Sequence, residues 1–99
     1  MATLQETLGR LRAGESRLRE RGVLHAAVFG SVARGENHAE SDIDVLIDLD
    51  PQKPMGLFQY ARLRMDIAEL VGGTADVVNR KTVRPRLRDA IFREAVDAF

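Results

Sequence analysis

The chain has 99 residues, 44% of them hydrophobic and 30% charged, enough for one small domain that buries roughly 60–68% of its unfolded surface. Fifteen basic residues offset fifteen acidic ones, so no net charge steers the chain to nucleic acid, and no apolar run approaches the ~18 residues of a membrane span. Cysteine is absent, which excludes disulfides and thiolate metal sites and suits a reducing cytoplasm; the charged opening MATLQETLGRLRAGESRLRERG has no signal-peptide core.

Residues 3–20 are predicted helical, because Leu4, Leu8, Leu11 and Leu18 share a stripe. Thr3 and Glu6 stand at capping-box spacing, while Gly9 and Gly14 weaken the run. Residues 23–29, VLHAAVF, are almost continuously apolar, as in a strand covered on both faces. His25 within it reads as a hydrogen-bonded core histidine, and His38 as an exposed loop residue. Residues 42–49 alternate cleanly. Ile43, Val45, Ile47 and Leu49 fall to one side, and Asp42, Asp44, Leu46 and Asp48 to the other. That alternation predicts a sheet face free of apolar packing, and the aspartates lie on it. DPQKP at 50–54 is a turn, which Asp48 and Asp50 serve.

Residues 56–71 are predicted helical, with Tyr60, Leu63, Ile67, Leu70 and Val71 inward and Gly72-Gly73 as the stop. ADVV at 75–78 is a short strand. Pro85 opens a last helix whose inner face is Leu87, Ile91, Ala95 and Phe99. Arg80, Lys81, Arg84, Arg86, Arg88 and Arg93 crowd this end. The plain reading is a solvated helix face; the functional one is a patch for an acidic partner or a triphosphate. No repeat or linker divides the chain, so residues 1–99 form one domain. Its class is α/β, a small sheet of about three strands with helices packed on it.

Residues i and i+2 of a strand point the same way, so Asp42 and Asp44 aim two carboxylates at one place. Side by side they repel, and a divalent cation removes the conflict. All-carboxylate ligation favours a hard ion such as Mg²⁺. Gly30 and Ser31 follow a buried strand, where glycine permits a sharp turn and a helical turn would direct free N–H groups at an anion. One end of the stretch suits phosphate and the other the metal that neutralises it: together they describe a nucleoside triphosphate site. Asp76, on the third predicted strand, would supply a third carboxylate if that strand lies beside 42–49. By themselves, GS occurs in countless turns and an Asp-x-Asp alternation usually marks the wet face of a strand; their fixed offset gives the pair its weight.

GS, ten intervening residues, then DID, within FGSVARG…SDIDVLI, resembles the signature of the nucleotidyltransferase superfamily, and in particular its minimal nucleotidyltransferases. ADVV followed by RPRLRDAIFREAV is similar to the family's third-carboxylate strand and closing helix. The resemblance implies a nucleotidyltransferase-like small mixed sheet with helices on one side. It implies that Gly30 and Ser31 hold the β- and γ-phosphates of ATP, and that Asp42, Asp44 and Asp76 ligate two Mg²⁺ ions, with Asp76 also the candidate base. Arg34, one turn beyond Ser31, is placed to reach phosphate, and Ser41 to fix the aspartate loop or touch phosphate. The implied reaction moves AMP from ATP to a protein hydroxyl, a tyrosine of a HEPN ribonuclease toxin, silencing it. The chain would then be a cytoplasmic antitoxin with a HEPN-toxin partner. The alternative is an antitoxin that binds nucleotide but neutralises by occlusion. Larger relatives carry a second domain; here the acceptor site is left for another chain, a second copy or a partner, to complete. Transfer to a small molecule such as an aminoglycoside is disfavoured on the same ground.

Overall fold

The computed structural model describes residues 3–36 and 42–99. Helix α1 (Leu4–Ala13) leads into α2 (Glu15–Glu20), then strand β1 (Val23–Phe29) and the short α3 (Gly30–Arg34). Strand β2 (Ile43–Leu49), helix α4 (Leu57–Val71) and strand β3 (Ala75–Asn79) follow. A 3₁₀ turn (Arg80–Thr82), helix α5 (Pro85–Glu94) and strand β4 (Val96–Asp97) complete the chain.

The sheet runs β3-β2-β1-β4. β1 is antiparallel to β2 and to β4, and β2 is parallel to β3. The parallel step needs a crossover, and α4 supplies it. This is the small mixed α/β sheet expected from the sequence, with a fourth strand added at the β1 edge.

The predicted helix over 3–20 is two helices. Thr3 caps the first, its Oγ1 accepting from the Glu6 amide at 3.1 Å, as the capping spacing implied. The break falls at Gly14, which is buried against Leu70; a Cβ there would come within 2.6 Å of the Leu70 side chain. α4 begins within one residue of expectation and ends at Gly72, a left-handed cap at φ 76°.

The core lies between the sheet and α1–α4. Leu8, Leu11, Leu18, Val28, Val32, Val45, Ile47, Leu63, Ile67 and Val71 are all buried there. Each such side chain contributes roughly 1.5–3 kcal/mol by leaving water. Asp66, between Leu63 and Ile67, is buried as well. It accepts from Arg17 Nη2 at 2.7 Å and faces Arg21 Nε at 2.9 Å, pinning α4 to α2 and its end.

Four expectations need correction. The aspartate face of the sheet is not bare: Leu46 packs with Ala27, Phe29 and Val83, beneath Ile91, Phe92 and Ala95 of α5 and its end. One helix therefore lies on the second face. The last helix does not reach Phe99 but ends at Glu94, because the chain turns extended to pair with the open edge of β1; the Ala98 amide donates to the Ala26 carbonyl at 2.8 Å. Leu87 is about half exposed rather than inward. His25 is exposed on β1, at the irregular register between Val23 and His25, and is not a core residue.

Candidate functional site

The site assembles where β1 ends, β2 begins and β3 runs alongside. Asp42 immediately precedes β2 and Asp44 is its second residue. Register pairs Asp44 with Asp76 on parallel β3, and with Phe29 on antiparallel β1. Neighbouring side chains settle which face they share. Val45 and Val77 lie in the helix-covered core, so Asp44 and Asp76 project to the other face, the side of Leu46 and Val78. Asp42, two residues before Asp44, projects with them. Three carboxylates from two neighbouring segments of the chain thus share one corner of the sheet, beyond the apolar cover that α5 provides. Asp42 and Asp76 are exposed and Asp44 is half-buried.

The turn out of β1 closes over Asp44. Gly30 has φ 74°, and a Cβ on it would stand 3.0 Å from the Asp44 Cγ and overlap a carboxylate oxygen. Left-handed backbone and lack of room both demand glycine here. Ser31 follows in α3, partly buried. Arg34 ends α3, one turn on. Ser41, the remaining residue expected at the site, and His38 lie outside the described residues.

Electrostatics mark Asp44. Burial first, then the charges of Asp76 and Asp42, push its carboxyl above the usual range, while Arg34 pulls the other way. Among the described residues no three acidic, histidine or cysteine side chains form a preformed cage around one point. The donor set still fits a hard divalent ion. Mg²⁺ usually takes one or two protein carboxylates and completes its shell with water and phosphate. Crowded hard-oxygen donors with too little positive charge are what such an ion relieves.

Sequence reasoning missed one residue here. Glu94, the last residue of α5, accepts from the Gly30 amide at 2.7 Å and from Arg34 Nη1 at 3.0 and 2.9 Å through its two oxygens. The expected free amide at the turn is therefore taken. Glu36 adds a second partner to Arg34, at Nε and 3.1 Å. Glu94, then Glu36, hold the Arg34 proton more firmly than usual. No local pattern reveals Glu94, which lies 64 residues beyond Gly30.

A cavity of about 410 Å³, lined by Arg17, Glu20, Arg21, Met55 and Gln59, opens near the start of β1. The aspartates lie at the far end of that strand, and the two arginines are committed to Asp66. It is therefore separate from the carboxylate corner.

Comparison with known proteins agrees with this geometry. A family model described as "Nucleotidyltransferase domain" matches residues 11–98. The protein adenylyltransferase MntA of Thermococcus cleftensis is 34% identical over 97 residues, which span 97% of this chain and 96% of that one. A solved structure of a protein assigned to the minimal nucleotidyltransferases superposes with a TM-score of 0.79 at 35% identity, covering 96% of this chain and 95% of the other. A more distant likeness, of fold alone, is to a complex of a tri-AMPylated Shewanella oneidensis HEPN toxin with its MNT antitoxin (TM-score 0.63, 14% identity, 93% of this chain and 71% of that one). With the glycine turn, the paired carboxylates and a family match over nearly the whole chain in hand, this protein belongs to the nucleotidyltransferase domain family.

Proposed function

We propose that the protein transfers AMP from ATP to a hydroxyl on a partner protein, a tyrosine of a HEPN-type toxin, and so acts as that toxin's antitoxin. The observation that carries the reading is the register pairing of Asp44 with Asp76, with Asp42 two residues away and Gly30 closed against Asp44. Two comparisons support the finer claims: the Thermococcus relative carries the name protein adenylyltransferase, and the Shewanella complex joins an MNT antitoxin to an AMPylated HEPN toxin.

Asp42, Asp44 and Asp76 would hold two Mg²⁺ ions, which supply charge neutralisation and alignment for in-line displacement. The residues of the chain then divide the remaining work. Gly30, Ser31 and Arg34 receive the β- and γ-phosphates, Arg34 as the charged donor. Exposed Asp76 takes the proton of the incoming hydroxyl. A bond forms between that oxygen and the α-phosphorus, the bond from the α-phosphorus to the bridging oxygen breaks, and pyrophosphate leaves. No covalent enzyme intermediate is needed, since the rate comes from placement and charge stabilisation. The acceptor arrives on another chain, because the carboxylate corner is exposed on its outer side.

The test is transfer of label from ATP to the cognate partner. Wild type with Mg²⁺ should label the partner, and Asp42→Asn/Asp44→Asn should not. Full neutralisation of the toxin by the unlabelling double variant would instead establish occlusion.

A further inference from the structure

We propose that Glu94 is an internal competitor for the nucleotide: its carboxylate fills the place of a phosphate oxygen pair on Gly30 N–H and Arg34, and must leave for ATP to bind. This rests on the nucleotide reading of the site.

Two phosphate-directed groups converge on one acid. The Gly30 amide donates to Oε1, and the Arg34 guanidinium spans both oxygens from Nη1. A carboxylate and a terminal phosphate offer the same face to such donors, two adjacent oxygens sharing negative charge. What satisfies the donors now is thus what ATP would bring. Both groups cannot use them together, because a carboxylate left in place would repel the incoming phosphate.

The surrounding charge sharpens the conflict. Asp76, Asp42 and Glu94 all press on Asp44 with like charge, and Arg34 is the cation that opposes them. While Glu94 pairs with Arg34, that single positive charge is already offset. Glu94 is free to yield without unfolding anything. Its side chain is 30% exposed, and it is the final residue of α5, where the helix gives way to extended chain. A rotamer change into water releases both donors and leaves the Ile91 and Phe92 packing of α5 in place.

The experiment is equilibrium ATP binding by calorimetry, on the whole chain, with Mg²⁺ and again in EDTA. Glu94→Gln keeps shape and one acceptor oxygen but loses the charge. It should bind ATP about fivefold more tightly than wild type in both buffers, the effect of freeing one half-exposed ion pair. Arg34→Gln should shrink that gain, since Glu94 then competes only for the Gly30 amide. Glu94→Asp, too short to span both donors, should also bind more tightly and guards against a fold defect in the first variant; thermal melts accompany each protein. Weaker or unchanged binding by correctly folded Glu94→Gln or Glu94→Asp overturns the proposal and makes Glu94 a prop for Arg34. If no form of the chain binds ATP in either buffer, the nucleotide reading falls, and the competitor falls with it.

Discussion

Replacing Asp44 with Asn should make the metal-free protein more stable, although it removes a residue placed at the centre of the site. Asp44 is half-buried under Gly30, paired with Asp76 across the sheet and preceded at i−2 by Asp42. Facing side chains on adjacent strands are about 5 Å apart. Two unit charges at that distance repel by ~1 kcal/mol at the dielectric of water and ~3 kcal/mol at an effective value near 20. Asp76 and Asp42 are exposed, so the lower figure applies, and Arg34 returns part of it. A net gain of about 1 kcal/mol raises the melting temperature of a domain this size by about 4–8 °C. The sign with pH follows from the raised carboxyl. The folded form holds the Asp44 proton more tightly than the unfolded chain, so wild-type stability falls as pH climbs from the ordinary aspartate range through the native value. The Asn variant lacks that loss. Circular dichroism melts in EDTA should therefore separate the two proteins at mildly alkaline pH and bring them together in acid. Mg²⁺ with ATP should reverse the order, since only wild type gains ligand stabilisation. An Asn variant that melts at or below wild type in alkaline EDTA would refute the crowding argument.

Gly30→Ala should cost about 2 kcal/mol or more in urea unfolding, combining the left-handed backbone penalty with displacement of Asp44, and should abolish adenylyl transfer. Asp66→Ala should lose about 1–3 kcal/mol, below the cost of breaking a fully buried pair because Arg17 and Arg21 remain partly solvated. Leu63→Ala, at a fully buried position under the sheet, should lose about 2–5 kcal/mol with no change in nucleotide affinity measured on the folded protein. Asp76→Asn should leave the melting temperature within a few degrees of wild type and remove label transfer to the partner, since its side chain is exposed.

The secondary elements were legible where periodicity or a stop residue spoke plainly. The alternation of 42–49 and the helical spacing of 56–71, stopped by Gly72, reappear within one residue as β2 (Ile43–Leu49) and α4 (Leu57–Val71). Failures came where another part of the chain decided the outcome. Asp66 occupies an apolar stripe because Arg17 and Arg21 arrive from α2 and its end, which nothing in the local sequence announces. Residues 96–99 continue a helical pattern on paper, yet β1 offers unpaired backbone groups, and pairing there wins over one more helical turn. His25 sits in an apolar run but faces out, because the β1 register is irregular beside it.

The site shows the same division. The amino-acid order alone placed Gly30 and Ser31 at a turn and put Asp42 and Asp44 on one side of a strand, since strand periodicity is a local property of the backbone. It named Asp76 only on the condition that its strand lay beside the second one. The parallel pairing of β2 with β3 met that condition, and the packing of α4 that permits it is a tertiary fact. Glu94 was beyond local reasoning altogether: its contact with Gly30 and Arg34 exists only because α5 crosses the second face of the sheet and ends there. Sequence sets which way a side chain points along its own element, whereas the meeting of elements distant in the chain depends on how their apolar faces are buried together.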